Sequence, residues 1–398
     1  MPSLADRVKL IKPSPTLAVS AKAKAMKAQG IDVIDFGAGE PDFDTPEFIK
    51  QAAVKALNAG FTKYTAAGGI DELKDAVVKK FKEENGLSYD RSQILISCGA
   101  KHSLYNLFQA VLNPGDQIVI PAPYWVSYPD MALLGGARPV FISAPEEKGF
   151  KISPDQLHQA LTPQTKLVVI NSPSNPTGAA YTAAELKALA MVMEDHDLFV
   201  VSDECYEKMA FGGYRHVSIA AENPRLKEKT IVVNAVSKTY SMTGWRIGYA
   251  AGPKDVIAAM TNIQSQSTSN PTSFAQKGAL AALTGPQDEV KKMVAEFEQR
   301  RDFTVAALRA MPRVTCSNPE GAFYVLPGFH AYLGKKWKGG HIADDLEFSR
   351  FLLEEAKVAA VPGSAFGAPG HIRLSYATAM KNLEEGLNRI RRAIAQLH

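Results

Sequence analysis

VNAVSKTYSMTGWRIGYAAG, residues 233–252, closes one apolar run and opens another, with a charged loop between them. The first run, Ile231–Ala235, is apolar without alternation, and the second covers Ile247–Ala250. Short continuous apolar runs mark strands covered on both faces rather than strands with one wet side. Yet Ser237 and Lys238 stand at the end of the first run, and Arg246 just before the second, with Thr243 and Gly244 between. Two cations and a hydroxyl gathered where a buried strand meets a loop call for a partner from outside the chain.

The same grammar repeats upstream. Runs at Gln93–Ile96, Gln117–Ile120, Pro139–Ile142, Leu167–Ile170 and Phe199–Val201 read as strands. Helical patterns fill the gaps at 101–112 and 182–196, the second opening on Thr182 and Glu185, a capping box. Strands alternating with helices predict an α/β fold with a mostly parallel seven-stranded sheet wrapped by helices. After residue 285 the pattern changes: one long helix (Gln287–Met311), a strand (Ala322–Val325), a helix (Asp344–Lys357), a strand (Ile372–Tyr376) and a closing helix (Glu384–Gln396). This predicts a smaller α+β unit.

The totals narrow the function. With 398 residues and 46% hydrophobic composition, the chain can bury a large core in two or three domains. A net charge of +4 with no basic or acidic block excludes nucleic acid and anionic membrane as expected partners. Cys98, Cys205 and Cys316 are few and far apart, which speaks against a disulfide framework or structural zinc and fits a reducing compartment. The N-terminus has no apolar core of a signal peptide, and no apolar run approaches the ~20 residues of a membrane helix, so a cytoplasmic protein is expected.

No GxGxxG follows a first strand, and GxxxxGK[ST], HExxH and GxSxG are missing. The eight histidines form no ligand-spaced cluster, so no metal is expected. What remains is polar residues at strand ends, where open parallel sheets bind ligands. Asn171–Gly178, containing Asn175, follows one strand; Asp203 and Tyr206 follow the next; Ser237-Lys238 follow a third; Ser97-Cys98-Gly99-Ala100-Lys101 follow a fourth and open a helix. Each has an ordinary reading as turn, helix cap or solvated lysine. Together they share one edge of one sheet. A glycine turn at a helix N-terminus suits phosphate, aided by Ser237 and Arg246. A lysine near cations can form a Schiff base. A buried aspartate can hold a pyridinium proton. Tyr124 or Trp125 can stack on a flat ring. Pyridoxal 5′-phosphate meets all these demands.

Asn175-Pro-Thr-Gly, Asp203-x-x-Tyr206 and Ser237-Lys238 with Gly244-Trp-Arg246-x-Gly248 resemble the signature of class I aminotransferases of pyridoxal-phosphate fold type I. GAGEPDFDTP (37–46), TKYT (62–65), PAPYWVSYP (121–129), PEGAFYV (319–325) and RLSYAT (373–378) resemble the Iβ branch of bacterial aspartate aminotransferases, some of which also act on prephenate. The resemblance spans essentially the whole chain. It implies a large cofactor domain over 41–285 and a small domain built from 1–40 and 286–398. It implies that Lys238 carries the cofactor and moves the substrate proton, that Asp203 pairs with the ring nitrogen, and that Tyr206 and Asn175 bond the ring's 3-oxygen. Trp125 would stack on the ring. Gly99, Ala100, Lys101, Ser237 and Arg246 would hold the phosphate, with Tyr64 from a neighbouring subunit, so that a homodimer with composite sites is implied. Arg373 would clamp the substrate carboxylate, helped by Asn175 and the backbone of Gly39.

The implied reaction moves an amino group from L-aspartate to 2-oxoglutarate in a ping-pong cycle. For the distal carboxylate the resemblance points to Lys101 and Thr16, with Lys12 for a larger acid such as prephenate; His102 departs from the glutamine of the pattern. Transaminases for aromatic or alanine-type donors, and a pyridoxal-phosphate β-lyase, are the alternatives.

Overall fold

The computed structural model describes residues 2–11, 13, 15–338 and 340–398. All seven expected strands form in one sheet: β1 (Ile94–Ser97), β2 (Gln117–Ala122), β3 (Arg138–Ser143), β4 (Thr165–Asn171), β5 (Phe199–Asp203), β6 (Thr230–Ala235) and β7 (Gly248–Ala251). Their spatial order is β1-β7-β6-β5-β4-β2-β3. Only β7 is antiparallel to its neighbours. Residues 236–247, between β6 and β7, fold as short turns at the sheet edge instead of a crossover helix, so the chain returns along its own neighbour.

The continuous apolar runs have a direct explanation. Ile118, Ile120, Val169 and Val201 point to a core with Leu104, Leu107 and Phe108 of the helix Ala100–Val111. Their neighbours Val119, Val168, Ile170 and Val200 point to a different core with Leu186, Leu189 and Met193. Both faces are dry, so both parities are apolar. The helix carrying that second face starts at Thr182, whose side chain accepts from the Glu185 N–H while Glu185 accepts from the Thr182 N–H at 2.7 Å.

The C-terminal part holds β8 (Tyr324–Val325), β9 (Val361–Pro362) and β10 (Ile372–Ser375), an antiparallel sheet ordered β9-β10-β8. Ile34 and Phe36 share its core with Phe297, Leu374, Leu383 and Leu387, and Ile34–Asp35 pairs with Val358–Ala359. The chain's beginning therefore packs with its end. Two helices differ from expectation. The closing helix runs Met380–Ile394, earlier than read, because Leu383 belongs to the buried stripe continued by Leu387, Ile390 and Ile394. The expected helix from Asp344 is α-helical only over Asp345–Phe351; Leu352–Ala356 form a wider π turn closed by Lys357 in the left-handed region. Among the described residues no helix is long and apolar enough to cross a membrane.

Candidate active site

The parallel strands end at one edge, and β7 begins there, Gly248 lying in register with Ser97 and Ala235. A cavity of about 280 Å³ opens at this edge, bounded by Gly39, Trp125, Asn175, Asp203, Lys238 and Arg373 among others.

The glycine turn after β1 is dictated by close approach. Gly99 has φ 91°, and a Cβ there would lie 2.3 Å from Arg246 Nη2; a Cβ on Gly248 would lie 2.3 Å from the Ala100 nitrogen. Two glycines thus let three segments meet. The first N–H groups of Ala100–Val111 have no intrahelical acceptor and face this point. Arg246 sits at φ 58°, strained for a residue with a Cβ, and its guanidinium donates to the Thr243 and Cys98 carbonyls at 2.9 and 3.1 Å. The arrangement suits an anion.

Asp203, the last residue of β5, is buried. It accepts from Tyr128 Oη at 2.6 Å and from the Cys205 N–H at 3.3 Å, and among the described residues no cation pairs with it. Burial raises its pKa against those two hydrogen bonds. After β6, the short helical turn Val236–Thr239 presents Lys238, whose Nζ donates to the Gly39 carbonyl at 2.5 Å. Burial pushes the lysine down to about 8. After β4, Asn171 Oδ1 accepts from the Asn175 N–H at 3.0 Å, which turns the Asn175 side chain to Arg373. Arg373, on β10, is 2% exposed and donates to Asn175 Oδ1 at 3.0 Å and the Gly37 carbonyl at 2.8 Å. Its Nε has no partner and no carboxylate pairs with it; its guanidinium lies 4.5 Å from the Tyr324 ring centre. A structural acid for this arginine is thereby ruled out among the described residues.

The structure brings together Thr16, Gly39, Ala100, Lys101, Trp125, Asn175, Asp203, Tyr206, Ser237, Lys238, Arg246 and Arg373 around the cavity. Gly99 supports them from behind. Trp125 takes the aromatic position, with Lys101 Nζ 4.9 Å from its ring, whereas Tyr124 stacks on Phe141. Arg373 takes the Gly37 carbonyl as its backbone partner, while the Gly39 carbonyl accepts from Lys238. Tyr64 is 91% exposed and outside this cavity, and Lys12 lies outside the described residues. Sequence reading missed Tyr128 and Tyr324. Both were inside quoted stretches, but nothing local distinguishes a tyrosine that reaches the cavity from one that fills a core.

Among the described residues, a buried acid without a cation, a buried cation without an acid and a glycine cradle at a helix N-terminus are the groups that suit an aromatic cationic nitrogen, a carboxylate and a phosphate. The model of the family aminotransferase class I and II matches residues 31–390. The chain belongs to that family. It is 54% identical over 389 residues to an aspartate aminotransferase of Geobacillus stearothermophilus, covering 98% of each chain. It is 52% identical over 399 residues to an aspartate/prephenate aminotransferase of Cereibacter sphaeroides, covering 100% of each. Among solved structures, an aspartate aminotransferase from Rhizobium meliloti superposes with TM-score 0.96 at 46% identity, covering 100% of each chain. One from Thermus thermophilus with maleate gives 0.93 at 44%, covering 99% and 100%. The cofactor of this aminotransferase is pyridoxal 5′-phosphate, its substrates are amino and oxo acids, and the donor set fits both.

Proposed function

We propose that the enzyme transfers the amino group of L-aspartate to 2-oxoglutarate, giving oxaloacetate and L-glutamate. The observation that carries this reading is a cation in the cavity beyond Lys238, Arg246 and Arg373: Lys101, whose Nζ lies over Trp125, leaves one cation besides Arg373 for a substrate. Two cations suit a substrate with two carboxylates, and the curated relatives named above act on aspartate.

When bound, pyridoxal 5′-phosphate supplies a ring that accepts the electron pair released at the substrate's Cα. The backbone of Gly99, Ala100 and Lys101, with Ser237 and Arg246, would hold its phosphate, Asp203 its ring nitrogen, Asn175 and Tyr206 its 3-oxygen, and Trp125 its face. Lys238 would hold it covalently. The Lys238 amine, which burial lowers to about 8 and so toward its neutral form, would take the Cα proton and return one. Arg373 takes the α-carboxylate and so sets which Cα bond faces the lysine. Trp125 and the buried tyrosines keep the site dry.

The names of several relatives include prephenate, which supports a second reading in which that oxo acid is also an acceptor. The division into a 41–285 cofactor domain and a small domain of 1–40 and 286–398, and a cytoplasmic homodimer in which exposed Tyr64 completes the partner's phosphate site, belong to the same proposal. The test is a panel of L-aspartate, L-glutamate, L-alanine and L-phenylalanine, with 2-oxoglutarate, oxaloacetate and prephenate as acceptors, on wild type and Lys101→Ala. Expected is a preference for dicarboxylic donors that falls about tenfold in Lys101→Ala while alanine is unaffected. Equal losses for aspartate and alanine would refute the distal role of Lys101.

A further inference from the structure

Tyr324 is fully buried, lines the cavity and touches three groups of the site. Its hydroxyl is 2.9 Å from the Tyr206 hydroxyl. The Arg373 guanidinium lies 4.5 Å from its ring centre. A Cβ on Gly39, whose carbonyl binds Lys238, would lie 3.3 Å from its hydroxyl. Its place is set by the fold: Tyr324 pairs with Ser375 across β8 and β10, two residues beyond Arg373. The reaction outlined above uses Tyr206 and Arg373 but gives Tyr324 no role.

The hydrogen-bond arithmetic gives it one. Burial keeps both phenols protonated. Two hydroxyls sharing one contact place one proton between the oxygens and leave the other free. If Tyr206 donates to Tyr324, it has no proton left for a ligand. If Tyr324 donates, the Tyr206 proton is free to point into the cavity. The cation against the Tyr324 ring polarises that phenol and favours it as the donor.

We propose that Tyr324 is a positioning residue: it donates to Tyr206, so that the Tyr206 O–H is committed to the 3-oxygen of the cofactor, and it links that hydrogen bond to the charge at Arg373. This rests on the cofactor reading above. When a carboxylate neutralises Arg373, Tyr324 becomes a weaker donor and the Tyr206 hydrogen bond weakens with it. Carboxylate binding is thereby communicated to the far side of the cofactor ring through two phenols.

The test is the pH titration of the visible absorption of the cofactor-loaded enzyme for wild type, Tyr324→Phe, Tyr206→Phe and the double variant, each with and without saturating succinate. Phenylalanine keeps the ring under Arg373, so succinate affinity stays within about twofold. The expected result is a midpoint raised by about half to one pH unit in Tyr324→Phe. The same substitution in the Tyr206→Phe background adds no shift, and the succinate-induced shift is smaller in Tyr324→Phe than in wild type. A midpoint in Tyr324→Phe equal to wild type, or an equal shift with Tyr206 already removed, overturns the proposal. A lowered melting temperature with no change in midpoint also overturns it, since that marks a packing role alone. A wild-type protein that shows no visible band when given pyridoxal phosphate overturns the cofactor reading itself, a distinct outcome.

Discussion

Asp203 and Glu204 are adjacent, both buried, and face opposite circumstances. Glu204 accepts from Ser202 at 2.7 Å and Ser218 at 2.5 Å and has His216 Nε2 at 3.0 Å. Three residues on, Glu207 pairs with Lys80 and accepts from Asn85 at 3.0 Å. Along the helix Asp288–Arg309, buried Arg300 is met by Asp42 and Glu296, and buried Arg301 by Glu298 and Asp302. At these scaffold positions, buried charge is matched by opposite charge. In the cavity it is not: among the described residues Asp203 has no cation, Arg373 no carboxylate, and Lys238 only a carbonyl. Leaving buried charge unmatched costs the fold several kcal/mol, so it persists where a ligand of opposite charge supplies the match. Glu204, Glu207 and His216 have metal-binding side chains within 4.8 Å of one another, and the two carboxylates are engaged by Lys80, Ser202, Ser218 and His216 Nε2.

Removing the nucleophile is the harshest way to break this contrast. Lys238→Ala is expected to lower amino transfer by about a thousandfold or more and to leave the thermal transition in place, read by coupled-assay kinetics and calorimetry. Retention of full turnover would move the proton-transfer role elsewhere.

Matched and unmatched charges can then be set against each other. Arg373→Met should lower kcat/KM for every amino acid by about a hundredfold, the worth of a charged bidentate contact, while the protein without cofactor melts no lower than wild type. Glu207→Gln should do the reverse, costing about 3 kcal/mol of stability by stranding buried Lys80 with little change in kcat/KM. Burial opposes ionisation of Glu207, but Lys80 and His216 hold it down at about 2. A folded pKa below the unfolded value contributes stability above roughly pH 4.5 that is lost as pH falls toward 2. Acid unfolding should therefore be less steep in Glu207→Gln, as followed by circular dichroism.

The smallest effect is one of pH. Because Lys238 must be neutral to react with an aldehyde, and burial lowers it to about 8, cofactor uptake by the apoenzyme should rise about tenfold per unit below pH 8 and level above it. Stopped-flow absorbance measures the profile; a midpoint near that of a solvated lysine would show that the amine is not buried as described.

The strand-end residues were legible because each follows its strand directly. Once β4, β5 and β6 are recognised, Asn175, Asp203 and Lys238 can lie nowhere but at their carboxyl edge. Tyr128 comes to Asp203 from 75 positions away, Tyr324 to Tyr206 from 118, and Gly37 to Arg373 from 336. No periodicity records such meetings. The start of the closing helix was missed for a smaller reason: the reading began at a glutamate and passed over Leu383, the first residue of its apolar stripe.

The order of strands and helices, the double-sided burial of the sheet and the chemical types at its edge follow from this sequence alone, because hydrophobic period and strand-end position are properties of neighbours along the chain. The tertiary structure decided which phenols reach the cavity, which glycine carbonyl serves which cation, and which buried charges go unmatched. Those depend on groups hundreds of residues apart meeting within a few ångströms, where burial sets the strength of every polar contact.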